Sequence, residues 1–348
     1  QRQLIFMTLV SALLLPLLGS VASYSWVSFL LRQNSSILVP DTPNIRSLHS
    51  QVVPKGGGLV IIVTTASLIG IYQAFNQSIS LVHVLIALLI GCIAVLGWFD
   101  DRYNLTVRTR IIVQILVGCV SVYLVVRYQG LVIAGYRLGF PEWLLFVVLV
   151  IWVVWMTNLF NFMDGIDGLV ATQSIIASIV LALWFYQAGA SGLAALNLAL
   201  AGALVGFSIL NWHPASVFLG DIGSLTLGIY FAVMSVIGWT VYHLAVEAFV
   251  LLFGVMLSDT TVTLLIRIFR GERWWEAHSS HFYQRLVSLG YNHALVASLA
   301  AVITVCLSIC GSFVIFEIGP GWLWITLGLI TLTICALTVQ RKERTRPN

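Results

Sequence analysis

Eleven long apolar stretches, separated by short polar breaks, make up most of the 348-residue chain. They run near 4–31, 58–75, 79–99, 111–126, 142–160, 168–187, 192–210, 224–243, 245–268, 294–317 and 322–339, and the stretch 224–268 can be divided in more than one way. A helix needs about 20 apolar residues to cross a hydrocarbon core of about 30 Å. Eleven crossings use about 220 residues and leave the rest for connections, as the breaks require. The pattern predicts an all-α polytopic membrane protein with about 10–11 transmembrane helices, built as a single integral-membrane domain over 1–348. The first stretch is longer than the h-region of a secretory signal, about 7–15 residues, and is expected to persist as a helix.

Composition removes the soluble alternative. Hydrophobic residues are 59% and charged residues 9% of the chain, against about 45–50% and 25% in soluble domains. The net charge of +4 gives no support to nucleic-acid binding, because the basic residues have a prior role in orienting the helices. Fourteen Lys and Arg lie in connections on the side of the C-terminus, against Arg2, Arg127 and Arg137 on the other. Basic connections stay in the cytoplasm, which predicts a cytoplasmic C-terminus. On this topology every aspartate is cytoplasmic, although acidic residues do little to set orientation. Carboxylates gathered at one membrane face suggest a divalent cation site. The five cysteines all fall inside apolar stretches without C-x-x-C spacing, so neither a disulfide framework nor a zinc site is indicated.

Three polar segments carry candidate chemistry. The third stretch ends in Asp100-Asp101, with Asn104 following. Hard cations such as Mg²⁺ take oxygen ligands and commonly work with substrate phosphates, so the pair could hold metal or act as a base; a solvated helix end explains it equally well. Between the fifth and sixth stretches, Asn158, Asn161 and Asp164 are spaced to share a helix face. Gly165 and Gly168, flanking Asp167, permit turns or close backbone approach. A polar turn would account for Asp-Gly but not for both asparagines upstream. The third segment, from Asn211 to Ser224, leads into the eighth stretch. Its Asp221 could be a helix N-cap, and its Phe218 could stack on a base or anchor in lipid.

Two further segments are basic. Arg46, His49 and Lys55 precede Gly56-Gly57-Gly58 at the start of the second stretch, where a glycine-rich helix entrance offers N–H groups to phosphate. The G-K-[ST] ending of a P-loop is absent, which gives no support to ATP hydrolysis. The segment Arg267 to Arg285 holds Trp274 and Trp275 as interfacial anchors. Its His278 and His281 lack further zinc ligands nearby and, with Arg285, fit contact to phosphate or sugar better than metal.

In this order and at these helix ends, D-D-x-x-N, N-x-x-N-x-x-D-G-x-D-G-L and F-x-G-D-x-G-S resemble the motifs of the polyprenyl-phosphate N-acetylhexosamine-1-phosphate transferases, the family of MraY and WecA. The resemblance covers about residues 41–285. It implies transfer of a sugar 1-phosphate from a UDP-sugar to polyprenyl (undecaprenyl) phosphate, with release of UMP. The cofactor implied is Mg²⁺, with Mn²⁺ as a substitute, and the location is the cytoplasmic face of a bacterial inner membrane. Carried over by motif, Asp221 is the metal ligand and Asp100 and Asp101 are the catalytic pair, with Asp164 and Asp167 also among the catalytic carboxylates. Asn161, Asp164, Asp167, Asn211 and Phe218 match the uridine-side pocket. Arg46, His49, Lys55, Asn104, Asn158, His278, His281 and Arg285 are the remaining expected substrate contacts. A homodimer is left open.

One departure bears on the donor. Family members commonly carry H-x-H-H before an Arg-Leu pair, whereas His281-Phe282-Tyr283-Gln284-Arg285-Leu286 keeps only the first histidine. That form is similar to the WbpL-like transferases that start bacterial O-antigen chains, often with deoxy-N-acetylhexosamines. The main alternative is a secondary transporter, which would place ionisable residues near the bilayer midplane. Inside the stretches Glu247 and His83 are the clear candidates, and they form no visible pair. A CDP-alcohol phosphotransferase would continue as D-G-x-x-A-R after Asp164, where Ile166-Asp167 stands instead.

Overall fold

The computed structural model describes residues 2–43, 51–76, 81–126, 131–133, 136–139, 141–273 and 279–344. Helices dominate them: α1 (Arg2–Arg32), α2 (Gly58–Asn76), α3 (Leu81–Tyr103), α4 (Val107–Val125), α5 (Glu142–Met163), α6 (Leu169–Gln187), α7 (Ser191–Asn211), α8 (Gly220–Tyr242), α9 (Val246–Leu252), α10 (Gly254–Phe269), α11 (Phe282–Ser288), α12 (His293–Ile315) and α13 (Gly321–Arg344). Strands β1 (Val39–Asp41) and β2 (Val53–Lys55) pair antiparallel, as do β3 (Leu131–Ile133) and β4 (Tyr136–Leu138). Among the described residues, nine helices are long and apolar enough to cross a bilayer, and α2 adds a shorter apolar run over Gly58–Ala74. The protein is an all-α polytopic membrane protein.

The stretch 245–268 is not the continuous span expected. It is two helices, α9 and α10, bent by 79°. The residue between them, Phe253, is 2% exposed, and its ring packs 5.5 Å from that of Phe231 and 6.2 Å from that of Phe160. Beyond the break α10 packs on α5 and α13. The bend is set by what each half buries, with no proline or polar residue in the sequence to announce it.

Helix α8 is the axis of the bundle: Ile222 through Gly238 are all buried, against α3 and α5 above all. Glycines make this approach possible, as small residues do in membrane interiors. A Cβ on Gly97 of α3 would stand 2.5 Å from the Asp221 carbonyl oxygen, and one on Gly58 of α2 would stand 2.2 Å from Gly223 Cα. The ends of α3, α5 and α7 therefore meet the starts of α2, α6 and α8 at one end of the bundle, and every polar segment singled out above that is described lies there or beside it.

Candidate active site

The β1–β2 ribbon lies over this end and carries Asp41 and Lys55. Phe218 joins its edge: the Phe218 N–H donates to the Pro54 carbonyl at 2.8 Å, and the N–H groups of Gly56 and Gly57 donate to the Phe218 carbonyl at 3.2 and 3.0 Å. The Gly58 N–H donates to Leu219. The glycine-rich entrance of α2 thus does not present these N–H groups to phosphate, as the sequence suggested. They are spent on the chain that leads into α8, because the absence of side chains lets the two backbones touch.

A cleft of about 220 Å³ opens where these segments converge. Asp41, Lys55, Asp101, Asp164, Asp167, Asn211, Phe218, Asp221, Gln284 and His293 line it. Asp101 closes the start of α8 from outside that helix: its carboxylate accepts the N–H groups of Asp221 and Ile222 at 3.0 and 3.1 Å. The same carboxylate lies 3.2 Å from Lys55 Nζ. Burial works against the Lys55 ammonium, but the carboxylates of Asp101 and Asp221 outweigh it and raise its pKa, so it stays charged. Asp221 is in the first turn of α8 and is not its cap; that position is Leu219. Its Oδ1 accepts from Asn161 Nδ2 at 2.6 Å, and Asn161 also reaches Ser224 Oγ at 3.1 Å.

Asp164, at the end of α5, takes no side-chain hydrogen bond among the described residues. Burial and then the nearby carboxylates of Asp221, Asp101, Asp41 and Asp167 push its carboxyl well above the usual range. Asp167 is the opposite case. Burial alone would raise it, but hydrogen bonds from His293 and His213 and from the Ala215 N–H hold it below the usual carboxylate value. The His213 Nδ1 contact is 2.6 Å and the His293 Nδ1 contact 3.4 Å. Gly168 follows in the left-handed region at φ 74°, and a Cβ there would press to 2.9 Å on the Trp212 ring. Asn211 ties the two loops, accepting from the Gly168 N–H and donating to the Val217 carbonyl.

A depressed carboxyl pKa stabilises the fold above its unfolded value, about 3.9, and that contribution disappears as pH falls through the folded value. The melting temperature of Asp167→Asn is therefore expected to lie below that of the wild type by a constant margin above about pH 5 and to converge on it as pH falls through the folded value. A margin that widens in acid would contradict this sign.

Other expected site residues stand apart from the cleft. Asp100 turns away from Asp101, accepting Arg110 Nη1 at 2.8 Å and the Leu105 N–H at 2.8 Å. Asn104 is exposed at the end of α3. Asn158 lies deeper along α5, where its Nδ2 donates to Gln114 of α4 at 2.6 Å. His281 is 2% exposed and heads α11; its Nδ1 is 3.2 Å from Asp259, whose carboxylate also accepts the N–H groups of Phe282 and Tyr283. Arg285 pairs with Glu343 in a separate cleft that Arg267 and Arg270 also line. Arg46, His49 and His278 lie outside the described residues.

The structure also adds residues that sequence reasoning missed. His293, at the start of α12, meets Asp167 across 126 residues of chain, and no local spacing could have linked them. His213 was visible only as part of a loop motif. Asp41 reaches the cleft from a ribbon whose placement depends on packing, and Gln284, singled out in the sequence only as a departure from the family's histidines, also lines it. Asp167, His213 and His293 together offer ligand atoms within 4.8 Å of one another, but the 2.6 Å separation of two of them is that of a hydrogen bond.

A family model described as glycosyl transferase family 4 matches residues 83–239. The chain is 27% identical over 310 residues to a probable undecaprenyl-phosphate N-acetylglucosaminyl 1-phosphate transferase of Bacillus subtilis, covering 86% of this chain and 82% of that protein. It is 28% identical over 336 residues to a phospho-N-acetylmuramoyl-pentapeptide-transferase of Oceanobacillus iheyensis, covering 90% and 98%. Against an undecaprenyl-phosphate alpha-N-acetylglucosaminyl 1-phosphate transferase of Salmonella typhi it is 24% identical over 316 residues, covering 86% and 83%.

Proposed function

The chain belongs to the MraY/WecA-like family of polyprenyl-phosphate N-acetylhexosamine-1-phosphate transferases, and on that premise we propose that it moves a sugar 1-phosphate from a UDP-sugar to undecaprenyl phosphate. The observation that carries the reading is the meeting of Asp101, Asp164, Asp221 and Lys55 in one cleft at the ends of membrane helices. A lipid phosphate can reach that depth from the bilayer and a nucleotide from water. The excess of Lys and Arg in the connections at this end supports a cytoplasmic placement of the cleft, and the bacterial relatives support an inner-membrane location.

The cleft suits a divalent cation. Asp164 is crowded by four carboxylates that raise its pKa, and among the described residues Lys55 is the only Lys or Arg in the lining. Oxygen donors of this kind fit Mg²⁺, with Mn²⁺ as a substitute. Asp221 and Asp164 would hold the ion, which when bound offsets charge on the donor diphosphate. Lys55 adds a fixed positive charge at the same place.

In the transfer, an oxygen of the lipid phosphate forms a bond to the donor phosphorus that bears the sugar, and the bond from that phosphorus to the bridging oxygen breaks. UMP leaves with the electron pair. A phosphate monoester has its second pKa near 6, so the lipid phosphate arrives largely dianionic at neutral pH and needs no strong base. Asp100, held by Arg110, fixes the turn between α3 and α4 and so serves position more than proton transfer. Asn161 fixes the Asp221 carboxylate.

The finer reading is an N-acetylhexosamine or deoxy-N-acetylhexosamine donor, in the initiating step of an O-antigen type polysaccharide. It rests on Tyr283 and Gln284 at positions where relatives of the family carry histidines. The deciding experiment incubates the purified protein with undecaprenyl phosphate and a panel of UDP-N-acetylhexosamines and measures UMP. No UMP from any donor would refute the transferase reading. Phe218→Ala is expected to raise the donor KM about tenfold or more, the loss of a base–aromatic stack worth about 1–3 kcal/mol, with the acceptor KM unchanged. An unaltered donor KM would return Phe218 to a purely structural part in the ribbon edge.

A further inference from the structure

Helix α11 has seven residues, too few to be stable by itself, so its neighbours fix where it lies. At its start the carboxylate of Asp259, 6% exposed on α10, accepts the N–H groups of Phe282 and Tyr283 at 2.8 and 3.1 Å. These are two of the four N–H groups that a helix start leaves without a partner. Further along, Arg285 pairs with Glu343 of α13. The ring of His281 lies nearly parallel to those of Phe162 and Tyr283, with centroids 6.2 and 5.8 Å away. Tyr283 is thereby carried to the end of α5, where it is 4% exposed.

There its hydroxyl donates to the Phe162 carbonyl at 2.9 Å. Phe162 is the last residue but one of α5, in the turn whose carbonyls have no N–H partner within the helix. The tyrosine supplies a donor from 121 residues away. It can do so because Gly165 leaves room: a Cβ there would stand 2.2 Å from the hydroxyl oxygen and 3.1 Å from the ring carbon that bears it. Gly165 is not in the left-handed region that Gly168 occupies, so what it provides is space and not a backbone angle. Asp164 lies between the residue that Tyr283 bonds and the glycine that it abuts.

We propose that Tyr283 is a positioning residue for the transfer: its hydroxyl, reaching the end of α5 through the gap at Gly165, keeps the Asp164 carboxylate in place for the metal ion. The proposal rests on the reading of Asp164 as a metal ligand given above. Asp164 takes no side-chain hydrogen bond among the described residues, so its place depends on the backbone that carries it. Groups that orient a metal ligand from behind set its affinity for the ion. Because the family pattern has histidine at this position, the hydroxyl is a property of this chain and not of the motif.

The test separates the hydroxyl from the ring. Tyr283→Phe keeps the buried ring and is expected to fold, but it should raise the Kd for Mn²⁺ alone about tenfold, read from the EPR signal of the free ion titrated into purified protein. A merely structural part for the hydroxyl would lower the melting temperature and leave that Kd unchanged. UMP release should fall more at limiting than at saturating Mg²⁺. Gly165→Ala is expected to lower the melting temperature of the wild type clearly and that of Tyr283→Phe much less, the coupling of two groups that compete for one space. An unchanged Mn²⁺ Kd in Tyr283→Phe, or an equal fall for Gly165→Ala in both backgrounds, would overturn the proposal while leaving Asp164 a metal ligand and the transferase reading intact. A wild type that binds no Mn²⁺ would remove the metal reading of Asp164, and this proposal with it.

Discussion

Asp221→Ala is expected to lower UMP release by at least about a thousandfold, the upper range for removing one preorganised electrostatic group, while the protein still inserts and folds. Asp221 is half-buried at the first turn of α8, and Asn161, the one side chain among the described residues that hydrogen-bonds its carboxylate, retains Ser224 Oγ as an acceptor when Asp221 is truncated. Asp221→Asn keeps an acceptor for Asn161 but removes the charge, and it should be nearly as inactive. Chelator should abolish wild-type turnover, with Mg²⁺ or Mn²⁺ restoring it. Transfer by Asp221→Ala at close to the wild-type rate in Mg²⁺ would sink the assignment of Asp221 to the metal.

The second large effect is on stability and activity together. Asp101→Ala removes the acceptor of two α8 N–H groups and the partner of Lys55 at once. Breaking a fully buried pair costs about 3–5 kcal/mol. With the Lys55 side chain 21% exposed, about 2–4 kcal/mol is expected here, since solvent screens part of the charge. Thermal unfolding in detergent should show a clear fall in melting temperature alongside lost turnover. Asp101→Asn, which can accept one of the two N–H groups, should recover part of the stability and little of the activity. A melting temperature equal to wild type in Asp101→Ala would show that α8 does not depend on this carboxylate.

The difference between these two aspartates and their neighbour shows where sequence stops being informative. Adjacent Asp100 and Asp101 read as a pair, yet successive residues on a helix do not face each other, and only Asp101 lines the cleft. That separation was available from helical geometry alone; the identity of Arg110 as the partner of Asp100 was not. The apolar stretches were legible because a bilayer demands long uninterrupted runs. The bend at Phe253 was not, because it follows from rings on α5 and α8 that approach only after folding. Asn158 and Asn161 share a helix face as their spacing requires, but depth separates them: one meets Gln114 and the other Asp221. The partnership of Asp167 with His293 spans too much chain for any motif.

The contact between Lys55 and Asp101 also orders events in time. Both residues leave the ribosome before α4 is made, whereas the N–H groups that share the same carboxylate follow 120 and 121 residues later. A nascent chain can neutralise the Asp101 carboxylate with lysine alone while α8 is still unsynthesised. His293 comes later again, so a fragment ending before α12 lacks one wall of the cleft, and the enzyme is assembled only once nearly all of its helices have entered the membrane.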